Sequence, residues 1–319
     1  ENTELAMVTF RLMLISSFAL HTQSFSTCTR VGARRLLSSV KSSAIGTQSL
    51  YNKATSSLSS TRSFTKINMS SSASIEIATN LQGVQDRIAK CVQECNRPEG
   101  SVKLVAVSKT KPVELLMDAY NAGQRYFGEN YAQELMSKAS TLPADIKWHF
   151  IGPLQSNKAA SLVKNVGLDK LACIETISTI KLANKLNNAV ESILSSSDGE
   201  QNKEQKLGIY IQINTSGEDT KSGISTMEEA KELVTSITEN CKCLKILGLM
   251  TIGAPGDYSC FDRLVAFREV VANTLELENS EDLELSMGMS GDFEEAIMRG
   301  STSVRVGSTI FGARDYSKK

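Results

Sequence analysis

Apolar side chains recur at three- and four-residue intervals from residue 75 to 95, at Ile77, Leu81, Val84, Ile88 and Val92, and this period predicts an amphipathic helix that ends before Asn96-Arg-Pro-Glu-Gly100. Beyond it the pattern changes to short apolar runs separated by longer stretches of helical period. The runs predict strands over 104–108, 125–127, 147–151, 171–174, 207–214, 245–251, 282–286 and 303–307. The intervening stretches predict helices over 113–122, 132–139, 158–166, 179–194, 227–240, 261–277 and 293–300. Strands alternating with helices argue for a parallel sheet. Eight repeats in about 215 residues fit a single (β/α)8 barrel, preceded by the N-terminal helix, better than an open doubly wound sheet. The polar run 195–205 reads as a solvated loop on the helix-to-strand side.

Composition changes the picture at the N-terminus. Overall the 35 basic residues balance the 35 acidic ones, but no acidic residue falls between Glu4 and Glu76. Eight basic residues against Glu1 and Glu4 give residues 1–75 a charge of +6, leaving −6 for residues 76–319. This first part is rich in Ser and Thr and has no sustained core pattern, so 1–75 reads as an organellar transit segment and 76–319 as the barrel domain. A mitochondrial address is expected first and a plastid one next; translation from Met69 would leave the protein cytosolic. The apolar run 12–20 is too short to span a bilayer, its rival reading being a secretory core segment. An acidic domain without a basic, aromatic-studded face is not expected to bind nucleic acid, and a monomer without membrane attachment is the expectation.

Seven cysteines are present, none in a CxxC spacing, and they read as reduced structural thiols. The barrel region has one histidine, His149, so a histidine-rich metal site is excluded and any Ser-His-Asp triad would depend on that residue alone.

In a barrel of this kind the site lies where the strands end. The apolar run Leu104-Val-Ala-Val107 delivers Ser108 and Lys109 to such an end, and Pro112 suits the start of the helix that follows. Lys109 and Lys111 could be plain solvated loop lysines. The other strand ends argue for more: Asn130, His149, Ser290 with Gly291 after strand 7, and Arg305 with Gly307 and Ser308 after strand 8. Small residues and hydroxyls after strands 7 and 8, next to a short helix start, suit a phosphate. A lysine facing a phosphate site suggests a phosphorylated aldehyde cofactor, for which pyridoxal 5′-phosphate (PLP) with Lys109 as Schiff-base amine is the foremost candidate. Arg305 then lies where a guanidinium could bond the pyridine nitrogen and leave it unprotonated.

The chain resembles the pyridoxal phosphate homeostasis protein family from about residue 80 to Tyr316. The resemblance is carried by Ala106-Val-Ser-Lys-Thr-Lys-Pro112, Phe127-Gly-Glu-Asn-Tyr131, Trp148-His-Phe-Ile-Gly-Pro-Leu-Gln-Ser-Asn-Lys158, Lys221-Ser-Gly223, Leu285-Ser-Met-Gly-Met-Ser290 and Phe311-Gly-Ala-Arg-Asp-Tyr316. It implies the barrel of the alanine racemase N-terminal domain, with the Schiff-base lysine at Lys109. It also implies phosphate contacts at Ser290, Gly307 and Ser308 and the pyridine-side arginine at Arg305. Asn130 and His149 fall at motif positions facing the cofactor. Ser308 stands where many members have threonine, and Met289-Ser-Gly-Asp292 varies the usual Met-Ser-Asp-Asp. The implied role is to bind PLP for vitamin B6 homeostasis and to hand it on, with PLP-dependent apo-enzymes as partners and no catalytic residue or metal.

The competing reading is an amino-acid racemase. Racemization needs an acid/base on each face of the cofactor. Only three residues follow Tyr316, so the extra β domain and partner tyrosine of alanine racemase are not expected. A class I aldolase would also use a barrel lysine but would have no need of Arg305 beside phosphate-binding turns.

Overall fold

The computed structural model describes residues 74–196, 204–218 and 221–313. Residues 1–73 of the expected transit segment, residues 197–203 of the expected loop, and Arg314 to Tyr316 lie outside the described residues; the last two residues assigned to that segment, Ser74 and Ile75, open the first helix. Helix α1 (74–94) comes first. All five residues of its predicted apolar stripe are buried, Leu81 and Val84 almost completely, each contributing about 1.5–3 kcal/mol relative to exposure. The stripe packs α1 on the barrel. Arg87 adds a two-pronged bond to Glu294 at 2.8 Å on both arms, and Asn80 reaches the Ile310 carbonyl.

Eight parallel strands then close into a barrel in sequence order, β8 returning to pair with β1. They are β1 (Lys103–Val107), β2 (Tyr126–Glu129), β3 (Lys147–Phe150), β4 (Leu171–Ile177), β5 (Leu207–Gln212), β6 (Leu244–Met250), β7 (Glu284–Met289) and β8 (Ser303–Val306). Between and after them run α2 (Val113–Asn121), α3 (Ala132–Thr141), α4 (Ala159–Val166), α5 (Ile180–Ser196), α6 (Met227–Asn240), α7 (Ser259–Thr274), α8 (Phe293–Met298) and α9 (Ser308–Phe311). The expected architecture is thus the observed one. Among the described residues no helix is long and apolar enough to cross a membrane.

Three boundaries move in ways that matter. β2 runs through Glu129 rather than ending at Phe127, and β7 begins at Glu284 because 280–282 forms a 3₁₀ turn. β4 continues past Ile174 to Ile177 through a register shift against β5. The apolar pattern missed the extensions of β2 and β4 because each passes through a charged residue, Glu129 or Glu175, that breaks the apolar run.

The outward faces of the strands, with Ala106, Phe127, Trp148, Phe150, Ile174, Leu285 and Val304, are sealed by the helices into one apolar shell. The interior is different. Tyr210 Oη donates to Glu284 Oε2 at 2.5 Å, and Lys103 Nζ meets the same carboxylate at 2.9 Å. Ser286 Oγ donates to Glu175 Oε2 at 2.6 Å. β5 and β4 are not neighbours of β7 in the sheet, so the Tyr210 and Ser286 bonds run through the lumen and tie non-adjacent strands together.

Candidate functional site

A cavity of about 330 Å³ opens at the C-terminal ends of the strands, and Lys109, Lys111, Asn130, Ser290, Arg305, Gly307 and Ser308 line it. Its size sits at the low end of the roughly 300–1,000 Å³ of small-molecule sites. A larger recess of about 920 Å³ lies at the opposite end, between α1 and the starts of β1 and β2. Barrel chemistry is done at the C-terminal face, and the smaller cavity is the one that gathers the predicted side chains.

Lys109 reaches this place because β1 is buried on both sides and stops at Ser108, where a tight turn begins. Lys111 N donates back to Ser108 O at 3.0 Å, and Thr110 sits at φ +62°. Lys111 has a separate job. Its ammonium donates to the carbonyls of Phe311, Gly312 and Ala313 at 2.8, 3.0 and 2.8 Å, which matches its three N–H donors and braces β1 against the end of α9.

On the phosphate side, Ser290 Oγ accepts the Gly307 N–H at 3.1 Å, joining the β7 turn to the end of β8. Asp292 steadies the same turn by accepting the Met289 N–H at 2.6 Å. A Cβ at Gly307 would stand 3.1 Å from the Val107 carbonyl oxygen, so a side chain there would press on the strand that carries Lys109. The helix expected to support an anion is only the four residues Ser308–Phe311. Its dipole is correspondingly small, and the turn's hydroxyls and N–H groups carry the chemistry instead.

Arg305 is 4% exposed and donates to Ser286 Oγ and to the Thr251 carbonyl, both at 2.6 Å. A guanidinium has five N–H donors, so three are not consumed by these bonds. Burial lowers its affinity for the proton, and the Glu175 charge opposes that effect. Glu175 is fully buried. Burial pushes its carboxyl up, but the hydrogen bond with His149 and the nearby Arg305 outweigh it and hold the group below the ordinary carboxylate range.

His149 does not line the cavity. Its ring turns into the lumen, with Nδ1 2.6 Å from Glu175 Oε1 and the Tyr126 ring at its edge 5.9 Å away. In this structure the ring supports Glu175 through Nδ1, because strand side chains alternate and its turn falls inward, while its Nε2 is buried without a hydrogen-bond partner among the described residues. His149, Cys173 and Glu175 do bring ligating atoms within 4.8 Å of one another. The 2.6 Å separation of Nδ1 and Oε1 is that of a hydrogen bond, too short for two ligands of one metal, and burial holds the Cys173 thiol well above its ordinary value.

Asn130 is better placed. It lines the cavity, and its buried Oδ1 finds no protein partner among the described residues. A Cβ at Gly152 would lie 2.1 Å from the Asn130 carbonyl, so the strand end carrying Asn130 is pinned by backbone packed on backbone. A cofactor with a phosphate, an aldehyde and an aromatic nitrogen fits this donor set: an amine at Lys109, hydroxyls at Ser290 and Ser308, unspent N–H donors on Arg305 and an orphaned amide at Asn130.

Sequence reasoning missed Glu129, Lys138, Glu175 and Ser286. The signal for two of them was present. Glu175 interrupts an apolar run, and Lys138 falls on the stripe of Leu135, Ala139 and Leu142 that α3 and the residue after it bury. Lys138 Nζ lies 2.7 Å from Glu129 Oε1 behind the cavity. Burial raises the Glu129 carboxyl from 4.5 to about 6, against the pull of Lys138 and Ser108. Because the folded value is the higher one, the stabilisation this group gives is full below pH 4.5 and is lost as pH rises through about 6. Urea denaturation across this window should show Glu129→Gln gaining about 2 kcal/mol on the parent as pH rises; parallel pH profiles would refute that value.

No family model matches the chain. Among curated proteins, the human pyridoxal phosphate homeostasis protein is 41% identical over 263 residues, covering 78% of this chain and 91% of the human one. Among solved structures, PipY of Synechococcus elongatus PCC7942 with PLP bound is 30% identical with TM-score 0.56, covering 70% of this chain and all of PipY. Alanine racemase of Corynebacterium glutamicum, 17% identical with TM-score 0.51 over 73% of this chain and 61% of its own, shares the barrel fold. With that level of identity extending over nearly the whole of a named relative, and with the motif residues gathered in one cavity, the chain belongs to the pyridoxal phosphate homeostasis protein family.

Proposed function

We propose that the protein binds PLP in the C-terminal cavity, holds it through Lys109 and passes it on, as a homeostasis protein rather than an enzyme. The observation that carries this reading is the convergence of Lys109, Ser290, Arg305, Gly307 and Ser308 on one cavity. When bound, PLP supplies an aldehyde that condenses with an amine to release one water, and a pyridine ring that can withdraw electrons. Lys109 supplies that amine. Ser290 and Ser308 donate to the phosphate, each charge-assisted bond being worth about 1.5–3 kcal/mol. Arg305 donates to the ring nitrogen without surrendering a proton, so the ring is held but weakly activated. Asn130 Oδ1 offers an acceptor at the cavity wall. Among the described residues, none lining the cavity is a histidine, tyrosine, aspartate or glutamate that could act as an acid/base opposite Lys109. The name of the human relative and the PLP bound by PipY support the assignment. An organellar address, mitochondrial before plastid, is part of the proposal and rests on the acid-free leader.

The test is transfer. PLP-loaded protein should reactivate a PLP-dependent enzyme stripped of its cofactor, while a panel of L- and D-amino acids shows at most trace conversion. Turnover of any of them at about 1 s⁻¹ or faster would replace the carrier reading with an enzymatic one.

A further inference from the structure

The turn that carries Lys109 is costly to form. Thr110 has φ +62°, and a β-branched residue in the left-handed region is disfavoured because its Cβ crowds the backbone. Such a conformation persists only where the surroundings over-determine it. Here three side chains do so from one side. Thr110 N donates to Glu134 Oε1 at 2.7 Å. Lys138 Nζ donates to Ser108 O at 2.8 Å, to Glu129 Oε1 at 2.7 Å and to Glu134 Oε1 at 2.7 Å. Ser108 Oγ donates to Glu129 Oε1 at 2.7 Å.

Lys138 is 5% exposed on the buried face of α3, a position where an ammonium is expensive unless fully paired. Its three donors are all spent, and one goes to the carbonyl of the residue just before Lys109. A pair needed only for core stability would have no reason to reach that carbonyl, or for Glu134 to take the Thr110 N–H. On the far flank the Lys111 bonds to Phe311, Gly312 and Ala313 fix the other end of the turn.

We propose that Glu134 and Lys138, with Glu129 behind them, are positioning residues for Lys109: they hold the 108–111 turn in its left-handed form and so aim the lysine into the cavity. This deepens the PLP reading and rests on it. The clamp touches no ligand. It acts on how often the amine stands where an aldehyde can meet it, a geometric factor for which misplacement by an ångström costs up to about a hundredfold.

The test uses Glu134→Ala, because the Glu134 side chain is 23% exposed and its loss leaves Lys138 paired with Glu129. Covalent attachment of PLP at Lys109, followed by absorbance and by borohydride trapping, should slow on the order of tenfold to a hundredfold. Affinity for 4′-deoxypyridoxine 5′-phosphate, which has the phosphate and ring but no aldehyde, should stay at the parent value. Adding Thr110→Gly to Glu134→Ala should restore much of the rate, since glycine takes positive φ without strain. A purely structural role predicts a lower melting temperature, weaker binding of both compounds and no rescue by glycine, and that result overturns the proposal. So does an unchanged attachment rate in Glu134→Ala. If the unaltered protein itself traps no PLP on Lys109, it is the PLP assignment that fails, and the two failures are told apart by the parent control.

Discussion

Lys109→Ala is expected to lose the covalent PLP link completely, with no visible absorbance band and no borohydride-trapped adduct, while the protein stays folded. The substitution removes an amine from a solvent-reached turn and leaves the apolar shell intact. The competing amine is Lys111, which also lines the cavity, but its ammonium is committed to the Phe311, Gly312 and Ala313 carbonyls. Breaking those bonds to free it would unfasten β1 from the end of α9. Peptide mapping of the reduced parent protein should therefore find the pyridoxyl group on Lys109. Adduct mainly on Lys111, or a band that survives Lys109→Ala, would refute the assignment. Residual affinity of the variant for PLP measures what the phosphate turn and Arg305 contribute alone.

Arg305→Met should be the most destabilising single change in the site, by about 3–5 kcal/mol, because it takes the permanent positive charge away from a buried carboxylate and breaks the bonds to Ser286 and Thr251. Glu175 is 0% exposed, and its Oε2 is 3.9 Å from Arg305 Nη1 with Ser286 Oγ bonded to both. Without the guanidinium the Glu175 carboxyl keeps its bonds to His149 and Ser286 but loses one of the charges that hold it low, so its folded value should rise toward the ordinary one. Stability that a depressed carboxyl gives is present only where it is ionised, so the defect should be worst at neutral pH and lessen in acid. Adding Glu175→Gln removes the buried negative charge that Arg305 offset and should recover a large part of the loss. Urea unfolding of the cofactor-free proteins measures all three, and a double variant no better than Arg305→Met would show that the pair is not the source of the cost.

Much of the site was legible in the sequence because its residues stand at the ends of elements that local pattern defines. Lys109 follows a β-branched run and precedes a proline; Ser290, Gly307 and Ser308 stand in small-residue turns after the last two strands. Barrel architecture then brings strand ends to one face without further information, which is why six of the seven predicted site residues line the same cavity. His149 was the exception. The direction of its ring depends on the pleat of β3 and on a partner 26 positions away in Glu175.

The sequence by itself determined the order of strands and helices, the closing of the sheet into a barrel and the chemistry at the strand ends, since each follows from hydrophobic period, turn residues or family motif. The tertiary structure alone decided the interior of the barrel and the clamp behind Lys109. Ser286 and Glu175 are 111 positions apart and meet across the lumen, and Lys138 meets Ser108 from 30 positions away. The physical reason is that charged and polar residues are recorded by local pattern only as breaks in an apolar run. Whether such a break is a solvated surface or a buried, fully paired network depends on what the closed sheet places opposite it.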